Sequence, residues 1–298
     1  NINELADNIV EDLKPDKKYT KKEKLEIIHD YIFVCLFLGN DFMPHFPSIN
    51  IRTKGINILL AAYKHLFGNN NKMLLNGNKI IWKNLREFIT YLSKNELTYF
   101  KDEYKLRSKG EKRYLPKDSP ENKERYFNLI PTQEREIEKY INPYEYGWNR
   151  RYYQMLFDFE IDDTRRKQIC TNYMEALEWN ITYYTDGCKN WSWCYNYSYA
   201  PLLEDLIKYI PYFDVEFVKK EDPNPVSCFT QLAYVLPRSS LNLLPFKMQQ
   251  QLLIKHNNWY RSDFKFKWAF CKYFWESHVE MPDIDIEQLK LITEPKDI

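Results

Sequence analysis

The sequence predicts a mainly α-helical fold with a few short strands. Apolar residues recur at three- and four-residue steps over long stretches, as one buried helical face requires. Strict alternation is confined to Phe264, Phe266, Trp268 and Phe270, and a tight turn between short extended pieces to Asn76-Gly77-Asn78. There is no internal repeat and no low-complexity tract.

Along the chain, Leu25, Ile28, Ile32 and Cys35 or Leu36 predict a buried helix over residues 25–38, after a solvated basic lead-in at Lys17, Lys18, Lys21 and Lys22. Gly39 ends this helix, and Pro44 and Pro47 keep the next stretch irregular. A second helix, residues 56–67, presents Ile56, Leu59, Leu60, Tyr63 and Phe67 on one face, and a third covers residues 82–93 after the turn at Gly77. Residues 101–132 are charged, poor in aliphatics and broken by Pro116, Pro120 and Pro131, which reads as a surface connection with one short helix. Asp162 or Asp163 caps a long helix running to Asp186, with Ile169, Tyr173, Leu177, Ile181 and Tyr184 inward and Gly187 just past its end. Residues 191–201 have no clean period. Further helices are expected at 202–210, 229–235 and 246–254, and a strand near Phe264–Phe270.

Composition narrows the function classes. With 43 Lys and Arg against 42 Asp and Glu, no global field favours a polyanion, so a nucleic acid would meet a local patch. The 7 glycines match neither G-x-G-x-x-G nor G-x-x-x-x-G-K, which excludes those phosphate-cradling loops within this chain. The longest apolar run, residues 31–38, is far short of the ~20 residues of a membrane span, and Asn1-Ile-Asn-Glu-Leu5 carries no signal pattern. The 6 cysteines contain no C-x-x-C and sit mostly beside apolar or aromatic residues, pointing to reduced thiols in a reducing compartment, and an intracellular location, cytoplasmic ahead of nuclear, is expected. The sequons at Asn180, Asn190 and Asn196 read as chance matches.

Chemistry could reside in several places. In Leu38-Gly-Asn-Asp-Phe-Met-Pro-His45, Asp41 follows a helix-ending glycine and is either an ordinary turn residue or a rigid oxygen ligand for Mg²⁺. The cluster Trp179, Tyr183, Tyr184, Trp191, Trp193, Tyr195, Tyr197 and Tyr199 is either ring-on-ring packing or a platform on which bases stack. Asp158, Glu160, Asp162 and Asp163 precede the long helix, so capping explains them better than a metal cluster. Arg150-Arg151 and Arg165-Arg166 suit solvated faces at least as well as phosphates.

The order of these motifs carries a family resemblance. The run YIFVCLFLGNDFMPH, Tyr31 to His45, resembles a segment of Xrn-type 5′→3′ exoribonucleases, and Pro47-Ser-Ile-Asn-Ile-Arg52 resembles its continuation. Downstream, Tyr183-Tyr-Thr-Asp-Gly-Cys188, Trp191-Ser-Trp193 and Tyr199-Ala-Pro201 are similar to that family's aromatic block. Gln231-Leu-Ala-Tyr-Val-Leu-Pro237, Leu244-Pro245 and Met281-Pro-Asp-Ile-Asp285 are similar to its later landmarks.

The resemblance implies the C-terminal part of an α/β nuclease catalytic region. Residues 1–100 would end its first conserved region, 101–140 would connect, and 141–298 would form a helix-rich second region. It implies two-metal, Mg²⁺-dependent hydrolysis of single-stranded RNA bearing a 5′ monophosphate, with Asp41 as a catalytic metal ligand and Trp191 or Trp193 stacking on a base. The family's other acidic ligands lie upstream of the G-N-D-F run, and only 40 residues precede Asp41 here. The expected partner is therefore the missing N-terminal half of the nuclease, with this chain alone inactive. No membrane partner is expected. The alternative is a catalytically inactive remnant that binds single-stranded RNA or a protein. Asn190, Cys194, Asn196 and Ser198 replace residues usual in the family's aromatic block.

Overall fold

In the computed structural model, which describes residues 1–15, 17–219 and 225–294, the first helices show how polar anchors shape the packing. Helix α1 (Ile2–Leu13) turns Val10 and Leu13 inward and packs on α2 (Lys21–Leu36). A reciprocal capping box between Thr20 and Glu23 starts α2 four residues ahead of Leu25. The buried face of α2 is Ile27, Asp30, Phe33, Val34 and Leu36, while Leu25 and Ile32 from the expected stripe are 55% and 39% exposed. The cause is Asp30, whose carboxylate accepts hydrogen bonds from the Leu74 and Leu75 amides and the Tyr63 hydroxyl. An aliphatic pattern cannot register a charged residue that faces inward because its partners are there.

Helix α3 (Gly55–Phe67) buries Leu59, Tyr63 and Phe67 as expected. Strands β1 (Leu75–Asn76) and β2 (Lys79–Ile80) pair antiparallel, with Leu75 opposite Ile80. Helix α4 (Trp82–Ser93) buries Trp82, Leu85, Phe88, Ile89 and Leu92, and the Trp82 indole N–H donates to the Val215 carbonyl at 2.8 Å.

The charged stretch expected to be a connection is mostly helix. It forms α5 (Glu96–Glu111), α6 (Pro120–Asn128), α7 (Ile130–Gln133) and α8 (Glu136–Ile141). Its inner surface is held by ions rather than aliphatics. Glu138 is clasped by the Arg107 guanidinium at 2.7 and 2.8 Å and by Arg135 at 2.6 Å, all nearly buried. Hydrophobic periodicity is silent where the inward positions are charged.

Helix α9 (Trp148–Phe157) buries Tyr152 and Tyr153, whose hydroxyls donate to the Ala200 carbonyl and the Asp205 carboxylate. Helix α10 (Asp163–Thr185) starts at Asp162, whose side chain accepts the Arg165 amide. It runs inward along Ile169, Tyr173, Leu177 and Ile181 and ends before Gly187, at φ 103°. Tyr184, expected inward, is exposed and meets Tyr183 edge-on, and it is Tyr183 that stacks on Trp179. Helix α11 (Leu203–Tyr209) packs on α4 and α10. Together α1–α4, α10 and α11 contribute to one apolar core.

The chain divides into two units, Asn1–Pro223 and Asn224–Ile298, so residues 101–140 lie within the first. The second unit contains α12 (Cys228–Val235), α13 (Phe246–Lys255) flanked by 3₁₀ turns, and α14 (Ile286–Thr293), around Leu241, Leu244, Leu252, Trp259, Tyr260 and Leu289. The strand expected near Phe264–Phe270 pairs over only two residues, β3 (Phe266–Lys267) with β4 (His278–Val279), and Phe270 leaves the extended region at φ 64°. The described residues are mainly helical, with two small two-stranded sheets. No helix among them is long and apolar enough to cross a membrane.

Candidate functional site

Where α2 ends, the chain reverses through Gly39 at φ 82°, whose amide donates to the Leu36 carbonyl. A Cβ there would sit 2.8 Å from the His45 amide nitrogen, so the position needs glycine for both its conformation and its clearance. The turn closes on itself. The Asn40 amide donates to the Met43 carbonyl, and Asn40 Oδ1 accepts from the Phe42 and Met43 amides at 3.0 and 3.1 Å. Buried Met43, Phe46 and Ile49 anchor the chain leaving the turn, and the Tyr173 hydroxyl donates to the Pro44 carbonyl at 3.1 Å. Asp41 is left at the tip, exposed, with no ion pair or hydrogen bond among the described residues.

The turn is docked on α10. Asn40 Nδ2 donates to Asn180 Oδ1 at 2.7 Å, and Asn180, fully buried, donates its own Nδ2 to the Ala176 carbonyl. Phe42 packs at 4.9 Å on Trp179 and 5.2 Å on Tyr183. Trp179 in turn stacks on Tyr183 at 5.0 Å and on Trp193 at 5.4 Å, and its indole N–H donates to the Asn190 carbonyl. The acidic turn and the aromatic block, far apart in sequence, thus share one helix.

The two tryptophans of the block differ. Trp193 packs on the apolar core and donates its indole N–H to Glu175 at 3.3 Å. Trp191 is 48% exposed. Trp179 and Tyr199 are buried, and Tyr195 packs on Tyr173 of α10, so ring-on-ring packing accounts for most of the cluster, while Tyr184 and Trp191 are its outward members.

The other charged candidates neutralise one another. Glu160 takes two hydrogen bonds from Arg150, Asp162 caps α10, and Asp163 pairs with Arg166. Cys35, Cys170, Cys188, Cys194 and Cys228 carry free thiols, and burial pushes that of Cys170 far above its ordinary range. A cavity of about 770 Å³ opens between the β1–β2 hairpin and the end of α10, lined by Lys79, Glu178, Asp186, Lys189 and Glu216 among others. Asp41, Trp191 and Trp193 do not line it. Its lysines are spoken for, Lys189 by Glu178 at 2.9 Å and Lys79 by Glu216 at 3.3 Å.

The family described as the Xrn1 helical domain matches residues 21–139 and 129–296. The chain belongs to that family. Among curated proteins it is similar to 5′-3′ exoribonuclease 2 of Arabidopsis thaliana, at 24% identity over 90% of this chain and 34% of the relative. The Drosophila melanogaster homolog is 25% identical over 88% of this chain and 34% of its own length. The Schizosaccharomyces pombe protein of that name is 32% identical over 53% of this chain and 16% of its own length. The chain spans about a third of the length of the first two, 34% in each.

The G-N-D-F turn and the aromatic block both fall inside the ranges matched by the Xrn1 helical domain family. The sequence did not single out Asn180 as a partner of the turn, although it carried a signal. Asn180 is an amide set beside Leu177 and Ile181 on an otherwise apolar face, and a polar group in such a place normally has an internal partner. Its complete burial also closes it to glycosylation in the folded chain.

Proposed function

We propose that this chain is the helical part of an Xrn-type nuclease that removes nucleotides from the 5′ end of single-stranded RNA bearing a 5′ monophosphate. Asp41 carries this reading: an exposed carboxylate on a turn whose neighbours on both sides are pinned to α10. Trp191 is the base-stacking residue of the pair, because it is the more exposed of the two, while Trp193 serves packing.

Among the described residues no group of three or more His, Cys, Asp or Glu could hold a metal ion, so this chain's donors do not fit a pair of divalent cations. Asp41 supplies one carboxylate. We assign the remaining acids to residues outside this chain, upstream in a longer polypeptide or on a separate one, and Mg²⁺ as the ion.

The test uses the parent protein and Asp41→Ala. Mg²⁺-dependent decay of 5′-phosphorylated RNA should fall by about 100-fold or more, as for loss of a group at the reacting centre. Unchanged decay would overturn the role of Asp41. The absence of an acid cluster among the described residues also favours a second reading, a binding module without catalysis. Parent protein that binds single-stranded RNA with no decay under any Mg²⁺ condition would select it.

A further inference from the structure

We infer that Asn180 is a positioning residue for the Asp41 carboxylate, acting through the side-chain amide of Asn40. This rests on Asp41 being a working group of the nuclease, and deepens that reading.

The capacities of the two amide ends decide the arrangement. Asn40 is used at both ends: its oxygen accepts from the Phe42 and Met43 amides, and its nitrogen donates to Asn180. Rotating that amide by half a turn would present N–H groups to two N–H donors and lose both backbone bonds. The two backbone amides therefore set which way it points, and the nitrogen end that this leaves facing α10 needs an acceptor there. Asn180 faces it with an oxygen, because its own nitrogen is committed to the Ala176 carbonyl one turn back on α10. The register of α10 is thus passed through two amides to the backbone on either side of Asp41.

Phe42 makes the same connection by packing. Its ring meets Trp179, the residue next to Asn180, and Tyr183, one turn on. Both neighbours of Asp41 are fixed to one stretch of a single helix, and the aspartate between them has no hydrogen bond or ion pair of its own among the described residues. A half-buried amide pair is a poor device for stability, since replacing both partners by apolar groups of similar shape is often close to neutral. It is a good device for orientation, because a misplacement of about 1 Å at a reacting group can cost about 100-fold in rate.

The experiment uses the full parent protein with Asn180→Leu, which removes the acceptor at similar volume, and Asn180→Asp, which keeps an oxygen for Asn40 Nδ2. Readouts are thermal melting, kcat and KM on 5′-phosphorylated RNA, and hydrogen exchange at the Phe42 and Met43 amides. Asn180→Leu should melt cooperatively, keep KM within about twofold, lower kcat by about 10-fold or more, and speed exchange at both amides by about 10-fold. Asn180→Asp should recover part of both losses. Unchanged kcat or unchanged exchange in Asn180→Leu overturns the inference, as does a rise in KM at constant kcat. If Asn180→Leu fails to fold, Asn180→Ala removes the same acceptor while leaving the Asn40 bonds to the Phe42 and Met43 amides in place, and is judged by the same outcomes. Inactive Asp41→Ala with fully active Asn180→Leu sinks this inference alone, whereas active Asp41→Ala sinks the reading beneath it.

Discussion

Glu96 caps the amide of Leu203: the carboxylate in the first turn of α5 accepts that N–H at 2.7 Å and the neighbouring Glu204 N–H at 3.1 Å. One acid so satisfies two of the orphan donors at the start of α11 and ties α5 to it. Burial pushes the Glu96 carboxyl up to about 8, against the pull of the two amides, and Glu204 and Asp205 add to the rise.

Stability should therefore fall with rising pH. A carboxyl whose folded value lies above its ordinary 4.5 contributes stability that is complete below about 4.5 and lost as pH passes through about 8. Asp30, raised by burial to about 6, acts in the same direction over the lower part of that range. Melting temperature measured between about pH 5 and about pH 9 should decline, and Glu96→Gln should flatten the slope between about 6 and about 8. A profile unchanged by Glu96→Gln would show that another group carries it.

Asp30→Ala should destabilise the chain by about 3 kcal/mol or more, because it orphans the Leu74 and Leu75 amides and the Tyr63 hydroxyl in a buried setting. Urea unfolding followed by tryptophan fluorescence measures this. A loss below about 1 kcal/mol would mean that these donors find other acceptors.

Gly39→Ala combines a strained φ of 82° with a Cβ only 2.8 Å from the His45 nitrogen. The expected cost is about 1–3 kcal/mol, with faster hydrogen exchange confined to the turn that carries Asp41. Protection identical to wild type at Phe42 and Met43 would contradict it.

Trp191→Ala and Trp193→Ala should separate recognition from packing. The first should leave melting nearly unchanged and weaken single-stranded RNA binding by about 1–3 kcal/mol, read by fluorescence anisotropy. The second removes a ring stacked on Trp179 and should lower stability by about 2–3 kcal/mol. If Trp193→Ala alone weakens RNA binding while folding is intact, the assignments exchange.

Legibility in the sequence tracked the physics of each element. Residues 82–93 and 163–185 were legible because their inward positions are aliphatic or aromatic at helical spacing and a good cap precedes the latter. Helices α5 and α8 were hidden because Glu103, Arg107, Arg135 and Glu138 occupy the inner positions, where hydrophobic spacing has nothing to read. The face of α2 was misjudged for the same reason at Asp30. At the candidate site, glycine, aspartate and tryptophan were legible as types. The Asn40–Asn180 bond was not, since no local pattern links residues so distant in sequence.

That distance, 140 positions, bears on biosynthesis. A ribosome adding ~5–20 residues per second delivers Asn180 roughly 7–28 s after Asn40. Throughout that interval the acidic turn exists without the helix that seats it. A product truncated before α10 would carry Asp41 yet lack its anchor, so the aspartate becomes set only once translation has passed well beyond it.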